Sequence, residues 1–244
     1  MIELKDVCVA YGKRVILDKI CMTIPDGITL VILGGSGSGK STLLRLLIGL
    51  QRPTSGQILV DGVDITKLSE SEFDQVRRKM GMVFQYSALF DSMSVGENVA
   101  FGLRQHTKLK EDEIQRIVGE RLEWVGRKGY ESYMPSELSG GMKKRVSLAR
   151  AIAEDAKLLL YDEPTSGLDP ITSSQISHLI RKMQDRLSCT SIVVTHDMQS
   201  AFYVGDVIAL LDKGHFVEVS TPEQFKQSSN ELVQRFIHGE VESV

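Results

Sequence analysis

The chain has 244 residues, 42% hydrophobic and 25% charged, the ordinary balance of a protein that buries its own core. A net charge of -3 and an isoelectric point near 6.0 provide no broad basic surface, which argues against non-specific nucleic-acid binding. The most apolar runs, residues 28–33 and 207–211, fall far short of the ~20 residues that cross a bilayer. The start Met1-Ile2-Glu3-Leu4-Lys5-Asp6 lacks the basic head and apolar core of a secretion signal, so a cytosolic chain is expected.

From the N-terminus, Ile2, Leu4, Val7 and Val9, then Ile20, Met22 and Ile24, alternate as strands do. The continuous apolar run 28–33 suits a central strand of a parallel sheet covered on both faces. Residues 41–50 carry helical spacing that ends at Pro53, Ser55 and Gly56, and Ile58-Leu59-Val60 before Asp61-Gly62 reads as a strand entering a tight turn. Between about residues 86 and 155 the pattern turns helical, which predicts an inserted helical lobe. Ser94 and Glu97 have capping-box spacing, and Ile114, Ile117, Leu122 and Val125 form one apolar stripe.

Strands return at 158–161, 192–194 and 207–211, separated by a helix carrying Ile176, Leu179 and Met183. Strand alternating with helix predicts a parallel sheet. Thr221-Pro222-Glu223-Gln224 is a strong helix start, followed by an amphipathic segment with Leu232, Val233, Phe236 and Ile237. Cys8, Cys21 and Cys189 are odd in number, widely spaced and free of CxxC pairing, so buried reduced thiols are expected.

Gly34-Gly35-Ser36-Gly37-Ser38-Gly39-Lys40-Ser41 fits GxxxxGK[ST] between a predicted strand and a predicted helix. Glycines let the backbone curl until its N–H groups point inward at phosphate oxygens, and the following helix presents its positive end to the same anion. Lys40 is expected to reach the β- and γ-phosphates of a nucleotide, and the Ser41 hydroxyl to ligate Mg²⁺.

The apolar strand 158–161 runs into Asp162-Glu163, two carboxylates at a sheet edge where such folds bind ligands. Alternation along a strand predicts separate roles: Asp162 holding Mg²⁺ through its water shell, and Glu163 polarising the attacking water as general base. A carboxylate pair after a strand is often only a solvated loop, and its company with the phosphate loop is what raises it. His196, after a predicted strand, is placed to sense the γ-phosphate. Gln85, after Gly81-Met82-Val83-Phe84, is placed to reach the metal and the water.

The segment Leu138-Ser139-Gly140-Gly141-Met142 completes a set of motifs that resembles the ATPase subunit of ABC transporters over essentially the whole chain, in family order. The resemblance maps Tyr11 to the aromatic residue that stacks on adenine, the loop from Gly34 to Thr42 to Walker A, and Gln85 to the Q-loop. It maps Leu138 to Met142 to the signature, Asp162-Glu163 to Walker B, Ser166-Gly167-Leu168-Asp169 to the D-loop, and His196 to the switch histidine. It implies an α/β fold: a P-loop NTPase core with an N-terminal antiparallel β-subdomain, the helical subdomain at about 86–155, and a C-terminal helical extension at about 222–244, all within one domain. It implies ATP and Mg²⁺ as cofactors and a head-to-tail dimer, in which Ser139, Gly140 and Gly141 of one copy close on the nucleotide held by Lys40 of the other, with Asp169 also at the nucleotide. It further implies a membrane permease partner and a peripheral location on the cytoplasmic side of the inner membrane.

Two departures are similar to the ATPases of bacterial MCE-type phospholipid transporters, where an MCE-domain protein and a small accessory subunit join the assembly. Met142 replaces the usual Gln, followed by Lys143-Lys144-Arg145, and Ser87-Ala88-Leu89-Phe90 follows the Q-loop. The basic triplet is expected to be an ordinary solvated helix face. The alternatives are an importer ATPase for amino acids or another small solute, and a soluble ABC ATPase working without a membrane.

Overall fold

The computed structural model describes residues 1–239, and the chain divides into two compact units, Met1–Phe73 together with the chain from Thr190 onward, and Asp74–Cys189. In chain order the first stretch carries β1 (Ile2–Tyr11), β2 (Arg14–Ile24), β3 (Thr29–Leu33), α1 (Lys40–Leu47), β4 (Ser55–Val60), β5 (Val63–Asp64) and α2 (Glu70–Arg77), which runs across the boundary. The inserted unit holds β6 (Met80–Val83), α3 (Val95–His106), α4 (Glu111–Trp124), α5 (Gly140–Ala151), β7 (Leu158–Asp162) and α6 (Pro170–Leu187). The chain then returns with β8 (Thr190–Val194), α7 (Met198–Val204), β9 (Val207–Asp212), β10 (His215–Ser220), α8 (Pro222–Lys226) and α9 (Glu231–His238).

In the first unit β1 lies antiparallel between β2 and β4, with Ile2 opposite both Ile24 and Val60. Alternation buries Ile2 and Leu4 and, beyond an irregularity at Asp6, whose φ is 49°, resumes one residue out of phase to bury Val7 and Val9. Asp61 and Gly62 take φ of 49° and 79° in the two-residue turn between β4 and β5, the left-handed pair that suits a hairpin. β3 lies parallel to β8 on one side and β9 on the other, and all five of its residues are buried, as a strand covered on both faces requires. Helix α1 stops at Leu47, short of the expected 50, because Gly49 adopts φ 73° and its N–H closes on the Leu46 carbonyl.

The thiol expectation is corrected. Cys189 is buried, but Cys8 is half-buried and Cys21 exposed, because Cys21 follows the inward-facing Ile20 on β2 and alternation turns it outward.

In the second unit β6 and β7 pair in parallel, Met80 with Leu158 and Val83 with Tyr161. Ser94 caps α3 in a full capping box with Glu97. The apolar stripe of α4 runs through Ile114, Val118, Leu122 and Val125. Val118, not Ile117, keeps the i, i+4 step. Helix α5 begins at Gly140, because the Ser139 hydroxyl caps it. On α6, Ile176, Leu179 and Met183 are buried as expected.

Thr221 and Gln224 form the capping box that opens α8. The end of the expected C-terminal extension, residues 240–244, lies outside the described residues. Among the described residues, no helix is long and apolar enough to cross a membrane.

Candidate functional site

The first unit carries the phosphate loop between the buried strand β3 and helix α1. Gly39 is the helix N-cap with φ 110°, and a Cβ there would come within 2.7 Å of the Leu17 side chain, so both conformation and space demand glycine. With no capping side chain and no acidic residue in its first turn, α1 leaves its N-terminal N–H groups and positive dipole end for an anion. The Lys40 side chain is buried and its Nζ donates to the Gly34 and Gly35 carbonyls at 2.7 and 2.9 Å, which holds the ammonium inside the loop. Ser38 Oγ is buried without a hydrogen-bond partner, the kind of polar atom that a phosphate oxygen satisfies.

Ser41 and Thr42 are half-buried in the first turn of α1, while Gly35, Ser36 and Gly37 are exposed. Tyr11 is exposed at the end of β1 and its hydroxyl donates to Gln51 Oε1 at 2.8 Å. His196 is exposed just beyond β8, ahead of α7, whose N-terminus Asp197 caps through the N–H groups of Gln199 and Ser200.

The second unit brings Gln85 and the carboxylate pair into one network. Gln85 Nε2 donates to Ser166 Oγ at 3.3 Å. Asp162 ends β7, but Glu163 lies outside the strand with φ 48°, so the two carboxylates are separated by a left-handed turn residue and not by strand alternation. Such a conformation at a non-glycine costs of order 1–3 kcal/mol and persists only where surroundings over-determine it. One such contact is local: the Ser166 N–H donates to the Glu163 carbonyl at 3.2 Å.

The other comes from α5 and corrects the solvated-face expectation for the basic triplet. Lys144 is only 5% exposed, and its Nζ donates to the carbonyls of Phe84, Gln85 and Glu163. Burial pushes this ammonium down from its ordinary 10.5 to about 8, and the charges of Asp162 and Glu163 oppose that shift. The signal in the sequence was helical periodicity: Gly141, Lys144 and Leu148 share the buried face of α5.

Ser139 and Gly140 stand exposed at the start of α5, and Gly141 is buried where a Cβ would meet the Thr172 methyl at 2.5 Å. Asp169 caps α6, accepting from the N–H groups of Ile171 and Thr172 and from the Thr172 hydroxyl. The Thr172 hydroxyl, above all, holds the Asp169 carboxyl below its usual range.

The segment after Gln85 is held by side chains that the sequence reading passed over. Arg150 donates to the Ser87 and Ala88 carbonyls, at 3.0 and 2.7 Å, where both residues have positive φ. Asn98, fully buried, donates to the carbonyls of Phe90, Met93 and Ser94 and accepts the Phe90 N–H.

A strand–glycine loop–helix with a buried lysine in one unit, and a carboxylate turn with a polar network in the other, define a phosphate-loop ATPase. Residues 17–166 match the family described as ABC transporter. The intermembrane phospholipid transport system ATP-binding protein MlaF of Haemophilus influenzae is 44% identical over 98% of this chain and 91% of its own length. The probable ribonucleotide transport ATP-binding protein mkl of Mycobacterium leprae is 42% identical over 98% of this chain and 69% of its own. A dimeric post-hydrolysis structure of the ATP-binding cassette MJ0796, bound to ADP and Pi, superimposes with TM-score 0.84 at 32% identity, covering 91% of this chain and 99% of that one. The chain belongs to the ABC transporter family and is an ATP-binding, ATP-hydrolysing transporter subunit.

Proposed function

We propose that this chain powers phospholipid transport in an MCE-type system, working as a head-to-tail dimer bound to a permease on the cytoplasmic side of the inner membrane. The observation that carries the cargo is the 44% identity to a phospholipid-system ATPase over nearly the full length of both chains. A relative named for ribonucleotide transport matches almost as well. The co-purifying membrane partner is therefore the decisive test of cargo.

The resemblance to the family gives each residue its role. Tyr11 stacks on adenine. The loop from Gly34 to Thr42 cradles the phosphates, with Lys40 exchanging its loop carbonyls for phosphate oxygens. In a partner copy, Ser139, Gly140 and Gly141 present the N-terminal end of α5, where the Ser139 hydroxyl accepts the Met142 N–H, to the same triphosphate, with Asp169 supporting the adjoining turn. The donors for Mg²⁺ are the Ser41 hydroxyl, the Asp162 carboxylate and the Gln85 amide oxygen. Hard oxygens in so small a number suit an ion that completes its shell with nucleotide phosphates and water. When bound, Mg²⁺ supplies charge neutralisation on the phosphates.

Glu163 accepts a proton from the attacking water as that water's oxygen bonds to the γ-phosphorus and the bond to the leaving ADP oxygen breaks. His196 senses the γ-phosphate. The segment 87–99 is the permease dock. The exposed aromatics Tyr86, just before it, and Phe90, within it, with Tyr133 tied to it through the Val95 N–H, offer an apolar surface on a backbone fixed by Arg150 and Asn98.

Two experiments test this reading. Glu163→Gln should retain ATP binding and lose turnover by roughly 100- to 10,000-fold, the range for a lost general base; wild-type turnover would remove Glu163 from that role. A tagged copy drawn from detergent-solubilised native membranes should bring a permease, an MCE-domain protein and phospholipid. A permease with a solute-binding protein would assign a small-solute importer instead.

A further inference from the structure

Lys144 is a buried cation of the second unit that the motif-based roles leave unused. Its geometry is specific. All three acceptors are main-chain carbonyls, at Phe84 and Gln85 on one side and at Glu163 on the other, so one ammonium joins the backbones of two residues whose side chains serve hydrolysis. An ammonium has three donors and no acceptor, and three carbonyls match that valence. The tie to Glu163 lands on a residue in the left-handed region, whose conformation must be supplied from outside.

The network closes on itself, since Gln85 Nε2 donates to Ser166 Oγ and the Ser166 N–H donates to the same Glu163 carbonyl that Lys144 holds. Arg150, further along α5, holds the Ser87 and Ala88 carbonyls of the Gln85 segment. Two side chains of α5 therefore hold the backbone of that segment.

We propose that Lys144 is a positioning residue for ATP hydrolysis: its ammonium ties the Gln85 segment to the Glu163 turn and sets the Glu163 carboxylate against the attacking water. It touches neither nucleotide nor water, and acts through the backbone. The proposal rests on the reading of Glu163 as general base. Its consequence is that displacement of the Gln85 segment reaches the carboxylate turn through one side chain on the helix that begins with Ser139, so docking and hydrolysis share a mechanical link.

The test uses the full chain in three variants, Lys144→Met, Lys144→Arg and Glu163→Gln, with steady-state ATPase, affinity for a fluorescent ATP analogue and melting temperature measured on each. Lys144→Met should lower kcat about 10- to 100-fold, the scale of a misplacement near 1 Å, with KM and analogue affinity within about twofold of wild type because the phosphate loop is untouched. Lys144→Arg, which can still donate to carbonyls on both sides, should recover kcat to within about threefold.

Wild-type kcat in Lys144→Met overturns the proposal. So does a loss that arginine fails to recover, or one that appears in KM and melting temperature instead of kcat. Normal turnover in Glu163→Gln sinks the general-base reading itself, whereas a dead Glu163→Gln beside a fully active Lys144→Met sinks only the positioning role.

Discussion

The phosphate loop and the carboxylate turn after β7 are both short loops at the ends of buried parallel strands, and they are held in opposite ways. The phosphate loop is held from within: Lys40 bonds to carbonyls five and six residues back, and the backbone of Gly39 forms the cap of the helix it enters. The carboxylate turn borrows its support from a side chain 19 residues upstream, which also grips a segment 59 residues further from it in sequence. A locally held loop keeps its shape whatever surrounds it and suits a constant task such as gripping phosphate. A loop held from outside moves when its support moves, which suits a step that must answer to a partner.

The largest effect that sharpens this contrast is expected in the local loop. Lys40→Ala removes the only side-chain ammonium within the phosphate loop, and with it the charge for the β- and γ-phosphates. Titration calorimetry should detect no nucleotide binding, while the melting temperature of the free protein changes little. Ordinary ATP affinity in this variant would contradict the assignment of the loop.

The remotely held region should answer in stability instead. Asn98→Ala deletes an amide that donates to three carbonyls and accepts one N–H at a fully buried position. Leaving such groups unpaired costs about 2–4 kcal/mol. Trp124, the only tryptophan, stacks between Arg121 and Arg186 at 4.0 and 3.8 Å within the second unit, so its fluorescence reports the unfolding of that unit in urea. A loss below about 0.5 kcal/mol would show that the segment after Gln85 is held by something other than Asn98.

What the sequence made legible follows the same division. Gly34 to Ser41, the buried run of β3, the Asp61-Gly62 turn and the Ser94 and Thr221 caps are set by neighbours within a few residues, so spacing alone exposes them. The α4 stripe was missed by one position, Val118 in place of Ile117, within the latitude of a 3.6-residue period. Lys144 was misread because a basic triplet looks solvated in one dimension. Only the packing of α5, which turns Gly141, Lys144 and Leu148 inward together, buries the middle one. Glu163 was assigned by strand alternation, and the strand ends one residue too soon for that rule to apply. In both cases the deciding contact is long-range, and no local pattern encodes it.

The smallest effect tests whether the segment after Gln85 has any local support of its own. At the start of α3 the Ser94 hydroxyl accepts the Glu97 N–H, and the Glu97 carboxylate accepts the Ser94 N–H at 2.7 Å. Ser94→Ala should cost about 1 kcal/mol near neutral pH. The box also carries a pH signature, because the Ser94 N–H, with its hydroxyl, holds the Glu97 carboxyl below its ordinary 4.5. Between that depressed value and 4.5 the folded chain binds fewer protons than the unfolded one, so this contribution is complete above 4.5 and is lost as pH falls through the folded value. The difference between wild type and Ser94→Ala, followed by Trp124 fluorescence, should therefore narrow on acidification without closing, since the Ser94 hydroxyl still caps the Glu97 N–H when the carboxyl is neutral. A difference that stays constant from pH 7 down to about pH 3 would mean that the Ser94 hydroxyl adds nothing to the hold on the Glu97 carboxyl, which then comes from the main-chain N–H of residue 94 that both proteins keep.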